Sequence, residues 1–315
     1  MPRCQARFWP ATPLERGNLR TTSAHVMREP LRTLLGDYPT TRAVRQGTLI
    51  SPRVPLAFAD VTVPNKAFRR VVRDLEFDVA ELALMTFLMA RSRGVPLRLL
   101  PVVVFSRNPL PLLVCDTERG RLEPRDLAGR RIAVRAYTTT TAVWVRALLA
   151  DAFGVDLANT EWLTLEEGHV AGVEDPPTVR RAPAGADVIS MLRAGVVDAA
   201  IVDPVPVDPR FAAVVSDPEG ACRDWQNRHG ARTLNHVITL RESLAHDENA
   251  MRELLRMFHE SREMGGAAAE SMSPPVGLEA NRASLEVAIA VAEAQGLLAR
   301  PLTVDDLVTD VIASL

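Results

Sequence analysis

Apolar runs alternate with amphipathic stretches along most of the chain. Strand-like runs at 31–35, 54–59, 77–83 and 97–105 are separated by helix-like stretches at 41–45, 67–74 and 86–93. The last of these stops at Gly94 and Pro96, whose backbone preferences end helices. A second set follows: strands at 112–115, 132–134, 162–165 and 197–202, with helices at 140–153 and 187–194 between them. A strand at 234–240 comes next, then helices at 251–264, 278–295 and 304–314, with breaks at Gly265-Gly-Ala-Ala-Ala269 and Ser273-Pro-Pro275. This pattern predicts an α/β fold in two lobes, with helices over largely parallel sheets. Residues 30–106 and 235–315 are expected to form lobe 1 and residues 107–234 lobe 2, while 1–29 read as a poorly ordered N-terminal extension.

Composition narrows the function classes. With 315 residues, 47% of them hydrophobic, the chain can bury a large core. The 37 basic and 39 acidic residues leave a formal net charge of -2, so neither nucleic acid nor an anionic membrane is an expected partner. Any basic site must be local. No run reaches the roughly 18 apolar residues of a membrane span, and residues 1–28 contain no apolar signal core, so the protein reads as cytoplasmic. Homo-oligomerisation stays open. Cys4, Cys115 and Cys222 are isolated and odd in number, which argues against a disulfide framework or a cysteine metal site. The six histidines show no H-x-H or H-E-x-x-H spacing, so no metal is signalled. Lys66, the only lysine, sits outside any obvious site, which leaves no plausible Schiff-base machinery.

Candidate chemistry gathers where strands end. Arg135-Ala-Tyr-Thr-Thr-Thr-Thr-Ala-Val-Trp144 joins a strand to a helix, and a helix N-terminus with open N–H groups stabilises an anion. Thr138, Thr139, Thr140 and Thr141 add hydroxyl donors, Arg135 a guanidinium fork suited to carboxylate, and Tyr137 and Trp144 aromatic surface. Asp37, Tyr38 and Arg42 follow the first strand, at the edge where ligands of open α/β sheets bind. Glu81 lies near another strand end, and Asp203 closes the 197–202 strand. His169 and His236, with Asn235 beside the latter, occupy strand-edge positions from which an imidazole can move protons near neutral pH.

Together these residues resemble the 4,5-dihydroxyphthalate decarboxylase family. The likeness is carried by Asp37-Tyr38 with Thr41-Arg42, Phe68-Arg-Arg-Val-Val-Arg-Asp-Leu-Glu-Phe-Asp-Val-Ala-Glu81 and Met89-Ala-Arg-Ser-Arg-Gly94. It continues through the 135–146 segment, Phe153-Gly-Val-Asp156, Asn235-His236, Gly277-Leu-Glu-Ala-Asn-Arg282, Gln295-Gly-Leu297 and Arg300-Pro-Leu302. Two departures stand out: the family carries an Arg-His pair after the Phe-Ser-Arg turn where this chain has Ser106-Arg107-Asn-Pro-Leu-Pro111, and Pro275-Val276 precedes Gly277 where an aromatic is expected.

The resemblance implies a type II periplasmic-binding-protein-like fold with the ligand between two lobes. It also implies a lyase that takes one carboxylate from 4,5-dihydroxyphthalate, or a related hydroxylated aromatic carboxylate, giving 3,4-dihydroxybenzoate without an organic cofactor. On that basis Arg135 and the 138–140 turn are expected to hold the retained carboxylate, with Tyr38, Arg42, Arg107, Tyr137, Trp144, Asp203 and Asn235 lining the substrate. His169 or His236 delivers the proton, and Asp37 or Glu81 meets the catechol hydroxyl. The alternative is a non-catalytic solute-binding protein for an aromatic or other dicarboxylate, because fold does not fix function.

Overall fold

The computed structural model describes residues 29–315; of the expected 1–29 extension, 1–28 lie outside the described residues. The strands are Leu31–Leu34 (β1), Leu56–Phe58 (β2), Val79–Ala83 (β3), Leu97–Ser106 (β4), Leu113–Asp116 (β5), Arg131–Val134 (β6), Glu161–Thr164 (β7), Val179–Arg181 (β8), Ala199–Ile201 (β9), Phe211–Ala213 (β10) and Leu234–Arg241 (β11). The helices are Arg42–Arg45 (α1), Phe68–Arg73 (α2), Leu84–Ser92 (α3), Thr140–Phe153 (α4), Val188–Ala194 (α5), Pro218–His229 (α6), Glu248–Met264 (α7), Gly266–Met272 (α8), Leu278–Ala294 (α9) and Asp310–Ala313 (α10). None of the described helices is long and apolar enough to cross a membrane.

Two mixed sheets result, in the orders β2-β1-β3-β11-β4 and β10-β5-β9-β6-β7-β8. In the first, β1 runs parallel to β2 and β3, while β11 is antiparallel to both β3 and β4. In the second, β6 is parallel to β7 and β9, whereas β5 is antiparallel to β9 and β10. Helices cross over between the parallel pairs except β7–β8, which a loop joins, and the antiparallel strands are those that carry the chain between lobes or close an edge. Every residue of β3 is buried, as expected of a central strand covered on both faces.

The helix α4 links the lobes. Its Ala142, Val145 and Leu149 enter the core of the second sheet, while Val143, Trp144 and Leu148 enter that of the first. The two sets follow helical spacing, so one helix presents two apolar faces. Gly154, at φ 64°, ends it by closing the last turn onto the carbonyls of Ala150 and Leu149. Trp144 is 1% exposed and donates Nε1–H to the Leu234 carbonyl at 2.8 Å, which fixes α4 against the start of β11. Cys222 and Trp225 of α6 also join the first core.

The elements depart from the sequence expectation in three respects. The 304–314 stretch is a 3-10 turn at Asp305–Leu307 and a short helix capped by the Thr309 hydroxyl, not one helix. The Gly-Ala segment expected to be a break forms α8, alanine favouring helix once Gly266, at φ 54°, has turned the chain. The edge strands β8 and β10 and the polar helix α6 carry too little apolar pattern to be seen in the sequence.

Candidate active site

A cavity of about 430 Å³ opens between the two sheets at the carboxyl ends of their parallel strands. The first lobe supplies Tyr38, Asn65, Phe68, Thr86, Phe105, Asn235 and His236 to its wall, and the second Arg135, Thr139, Thr140, Thr141, His169 and Asp203. Arg107, on the connection between them, completes it.

Glu81 and His236 form the proton-handling side. They lie on neighbouring strands, where His236 pairs with Ala83 and Ile238 with Glu81, so the two side chains are diagonal neighbours on one face. His236 Nδ1 is 2.6 Å from Glu81 Oε1. The Tyr38 hydroxyl donates to the same oxygen at 2.9 Å, and the Gly36 N–H donates to Oε2 at 2.8 Å. A carboxylate buried at 0% exposure in a central strand needs such partners, because an unpaired buried charge is prohibitively costly. Burial and the Glu81 carboxylate push the Tyr38 hydroxyl well above its ordinary range, keeping it a donor. A side chain at position 36 would collide with the Tyr38 ring, its Cβ falling 2.4 Å from a ring carbon, so only glycine lets Tyr38 reach Glu81. His236 Nε2 has no hydrogen bond to the described residues and belongs to a ring that faces the cavity.

Aromatic rings flank this pair. Phe105 lies 4.4 Å from the His236 ring and Phe68 5.2 Å from it, while Phe68 also meets His169 edge-on at 5.5 Å. Thr86 Oγ1 is 3.1 Å from His169 Nδ1. Burial, reinforced by Arg135, Arg69, His236 and Arg73, pushes the His169 imidazole down to about 3. His169 is therefore neutral near pH 7, able to hold a hydroxyl but not to deliver a proton as imidazolium.

The opposite wall is an anion cradle. Thr139 precedes α4 in extended conformation but makes no side-chain cap bond, and its Oγ1 is buried without a partner. Thr140 Oγ1 accepts from the Met85 N–H at 3.2 Å and Thr141 Oγ1 accepts from Arg107 Nη2 at 2.8 Å, which leaves both hydroxyl hydrogens to donate. Arg107 Nη1 is 2.7 Å from Asp203 Oδ2, and its Nε is a second buried donor without a partner. Arg135, at the rim, pairs with Glu166. Asn235 is 3% exposed and lines the same cavity.

Six of the expected site residues do not line the cavity. Asp37 is held by Arg42 Nε at 2.9 Å and Gln46 Nε2 at 2.8 Å on the surface, so neither Asp37 nor Arg42 lines the cavity. Tyr137 turns into the second lobe, where Arg146 lies 3.8 Å over its ring and Trp162 packs against it. Thr138 is buried behind Gly168, and Trp144 is committed to the core. Glu81 stands one layer back, acting through His236 and Tyr38. Phe68, Thr86 and Phe105 are not singled out by sequence; the first two belong to helices whose apolar pattern reads as core. No group of three or more His, Cys, Asp or Glu side chains suited to a metal occurs among the described residues.

The fold and cleft define a two-lobed protein of the periplasmic-binding-protein fold. An alkanesulfonate-binding protein of Xanthomonas axonopodis pv. citri, solved with bound MOPS, superposes with a TM-score of 0.59 at 15% identity, covering 89% of this chain and 98% of its own. No family model matches. In sequence the chain is similar to 4,5-dihydroxyphthalate decarboxylases: it is 26% identical to that of Comamonas testosteroni over 234 residues, 68% of this chain and 69% of the relative. The enzyme of the same name from Pseudomonas putida is 28% identical over 175 residues, 51% of this chain and 68% of the relative.

Proposed function

We propose that this cavity decarboxylates 4,5-dihydroxyphthalate or a closely related hydroxylated aromatic carboxylate. The observation that carries the reading is the placement, in one cavity, of buried donors lacking partners at Thr139 and Arg107 opposite a histidine backed by a buried glutamate. The sequence likeness to decarboxylases supports it.

In this mechanism the retained carboxylate rests on the α4 N-terminus, accepting from Thr139, Thr140, Thr141 and Arg107. The ring lies against Phe68 and Phe105, and neutral His169 holds a ring hydroxyl. His236 gives the proton on Nε2 to the ring carbon that bears the departing carboxylate. A hydroxyl para to that carbon feeds electrons into the ring as the C–H bond forms. The C–C bond then breaks, its electron pair restores the aromatic ring, and CO2 leaves; a proton from water returns His236 to its starting state. Glu81 positions His236 and balances its charge.

Incubation of the full chain with 4,5-dihydroxyphthalate tests this, with 3,4-dihydroxybenzoate followed by chromatography. Product from the wild type and none above background from His236→Ala supports it. Tight binding of the diacid with no product would instead identify a solute-binding protein.

A further inference from the structure

The loop between β7 and β8 carries His169, and it is held by both lobes. At its base, the N–H groups of Leu165 and Glu166 each donate to the Arg135 carbonyl at 3.0 Å, and Glu166 pairs with Arg135. Gly168 sits so close to Thr138 that a Cβ there would fall 2.5 Å from its hydroxyl. Both anchors belong to the second lobe.

The tip of the loop is held by the first lobe. Arg69 Nη2 donates to the Glu167 carbonyl at 2.9 Å, Arg73 Nε to the His169 carbonyl at 2.8 Å, and Arg73 Nη2 to the Gly168 carbonyl at 3.4 Å. The arginines are four residues apart on α2, so both guanidinium groups leave the same helix face and meet three successive carbonyls. Val170, the next residue, is 6% exposed and packs in the first lobe's core, with Val173 beside it. Thr86, also of the first lobe, holds the His169 ring itself.

We propose that Arg73 and Arg69 are positioning residues, latching the 165–173 loop across the cleft so that lobe closure places His169 against the ligand. The Val170 contact and the three carbonyl bonds cross the interlobe boundary, so opening the cleft breaks them together and withdraws His169 from Phe68 and Thr86. In the closed state the same contacts bury the imidazole. A loop with two states biased by few contacts is a recognised way to couple closure to completion of a site. The effect on turnover rests on the decarboxylase reading; the latch itself does not.

The experiment uses the full chain with Arg69→Ala/Arg73→Ala and Arg73→Lys, following the His169 ring by NMR titration alongside decarboxylation kinetics. Facing His169 are Arg69, Arg73, Arg135 and His236, with Glu166 and Glu167 on its own loop. In the wild type His169 stays neutral to well below pH 5. In the double variant it is expected to titrate near its ordinary value of about 6.5, with kcat lowered about tenfold more than KM is raised and partial recovery in Arg73→Lys. A His169 ring in the double variant that still resists protonation overturns the latch, whatever happens to the rate. A shifted ring in a chain that never releases CO2 upholds the latch and counts only against the decarboxylase reading.

Discussion

His236 and Glu81 are 155 residues apart in sequence, and their side chains meet at 2.6 Å because β11 returns from the second lobe antiparallel to β3. Neither strand end alone marks a proton donor. A histidine facing the cavity on one nitrogen and a buried carboxylate on the other is held in one orientation, with its positive form compensated.

Removing the imidazole should therefore cost chemistry rather than binding. His236→Ala is expected to lower kcat by about 100-fold or more, the scale of general-acid catalysis, with KM changed little. Glu81→Gln should give a smaller fall in kcat and lower stability by about 1–3 kcal/mol, because the amide serves poorly in a site with three donors. Steady-state kinetics and thermal melts distinguish the two effects. A His236→Ala protein with near-normal kcat would falsify the assignment.

Thr139 should behave unlike an ordinary helix N-cap. Replacing a capping threonine usually costs about 1 kcal/mol of stability. Here the side chain caps nothing, so Thr139→Val should melt within about 1 °C of wild type while KM rises about tenfold, the scale of a lost hydrogen bond to a charged group. The opposite result, a lower Tm with unchanged KM, would return Thr139 to the helix and remove it from the cradle.

How much of this was legible beforehand depends on whether the signal was local. The α4 helix shows its start in the threonine run and its end in Gly154, and the anion cradle was readable from that segment. Which of its side chains enter the cavity was not: Tyr137 and Thr139 are two residues apart, yet one joins the Arg146–Trp162 stack and the other faces the ligand space. That choice is set by packing partners far away in sequence. Asp37 misleads for a local reason instead: Arg42 and Gln46, on the next helical turns, hold it outward. Phe68 and Phe105 look like core in any apolar pattern, and only the cleft between the sheets makes them walls.

The buried His169 predicts acid sensitivity with a definite sign. Its folded value, about 3, lies below the ordinary 6.5. Below about pH 6.5 the unfolded chain takes up a proton that the folded chain refuses, so this stability is present at neutral pH and is lost as pH falls toward 3. At pH 5 the loss amounts to about 2 kcal/mol, at about 1.4 kcal/mol per unit. Denaturant melts of wild type and His169→Gln, compared at pH 7 and pH 5, should show the wild type losing that much more. Parallel pH dependence in the two proteins would mean that His169 is protonated in the fold without penalty.

Arg146 links the lobes through a different set of contacts. It lies over the Tyr137 and Trp162 rings, donates Nε–H to Gln295 Oε1 at 2.8 Å and Nη1–H to the Tyr137 carbonyl at 3.0 Å, and Gln295 in turn donates to the Val143 carbonyl at 3.0 Å. Burial lowers its guanidinium to about 10, still charged at neutral pH. Arg146→Ala leaves a gap between two rings and orphans the Gln295 and Tyr137 acceptors, which should cost about 3 kcal/mol and lower Tm by roughly 5–10 °C. Arg146→Met refills the space between the rings without restoring the bonds, so its Tm should fall about half as far. Calorimetry on both variants decides the matter: equal losses would assign the cost to the hydrogen bonds alone, and a Tm within 2 °C of wild type in Arg146→Ala would show that the stack does not hold α4 in place.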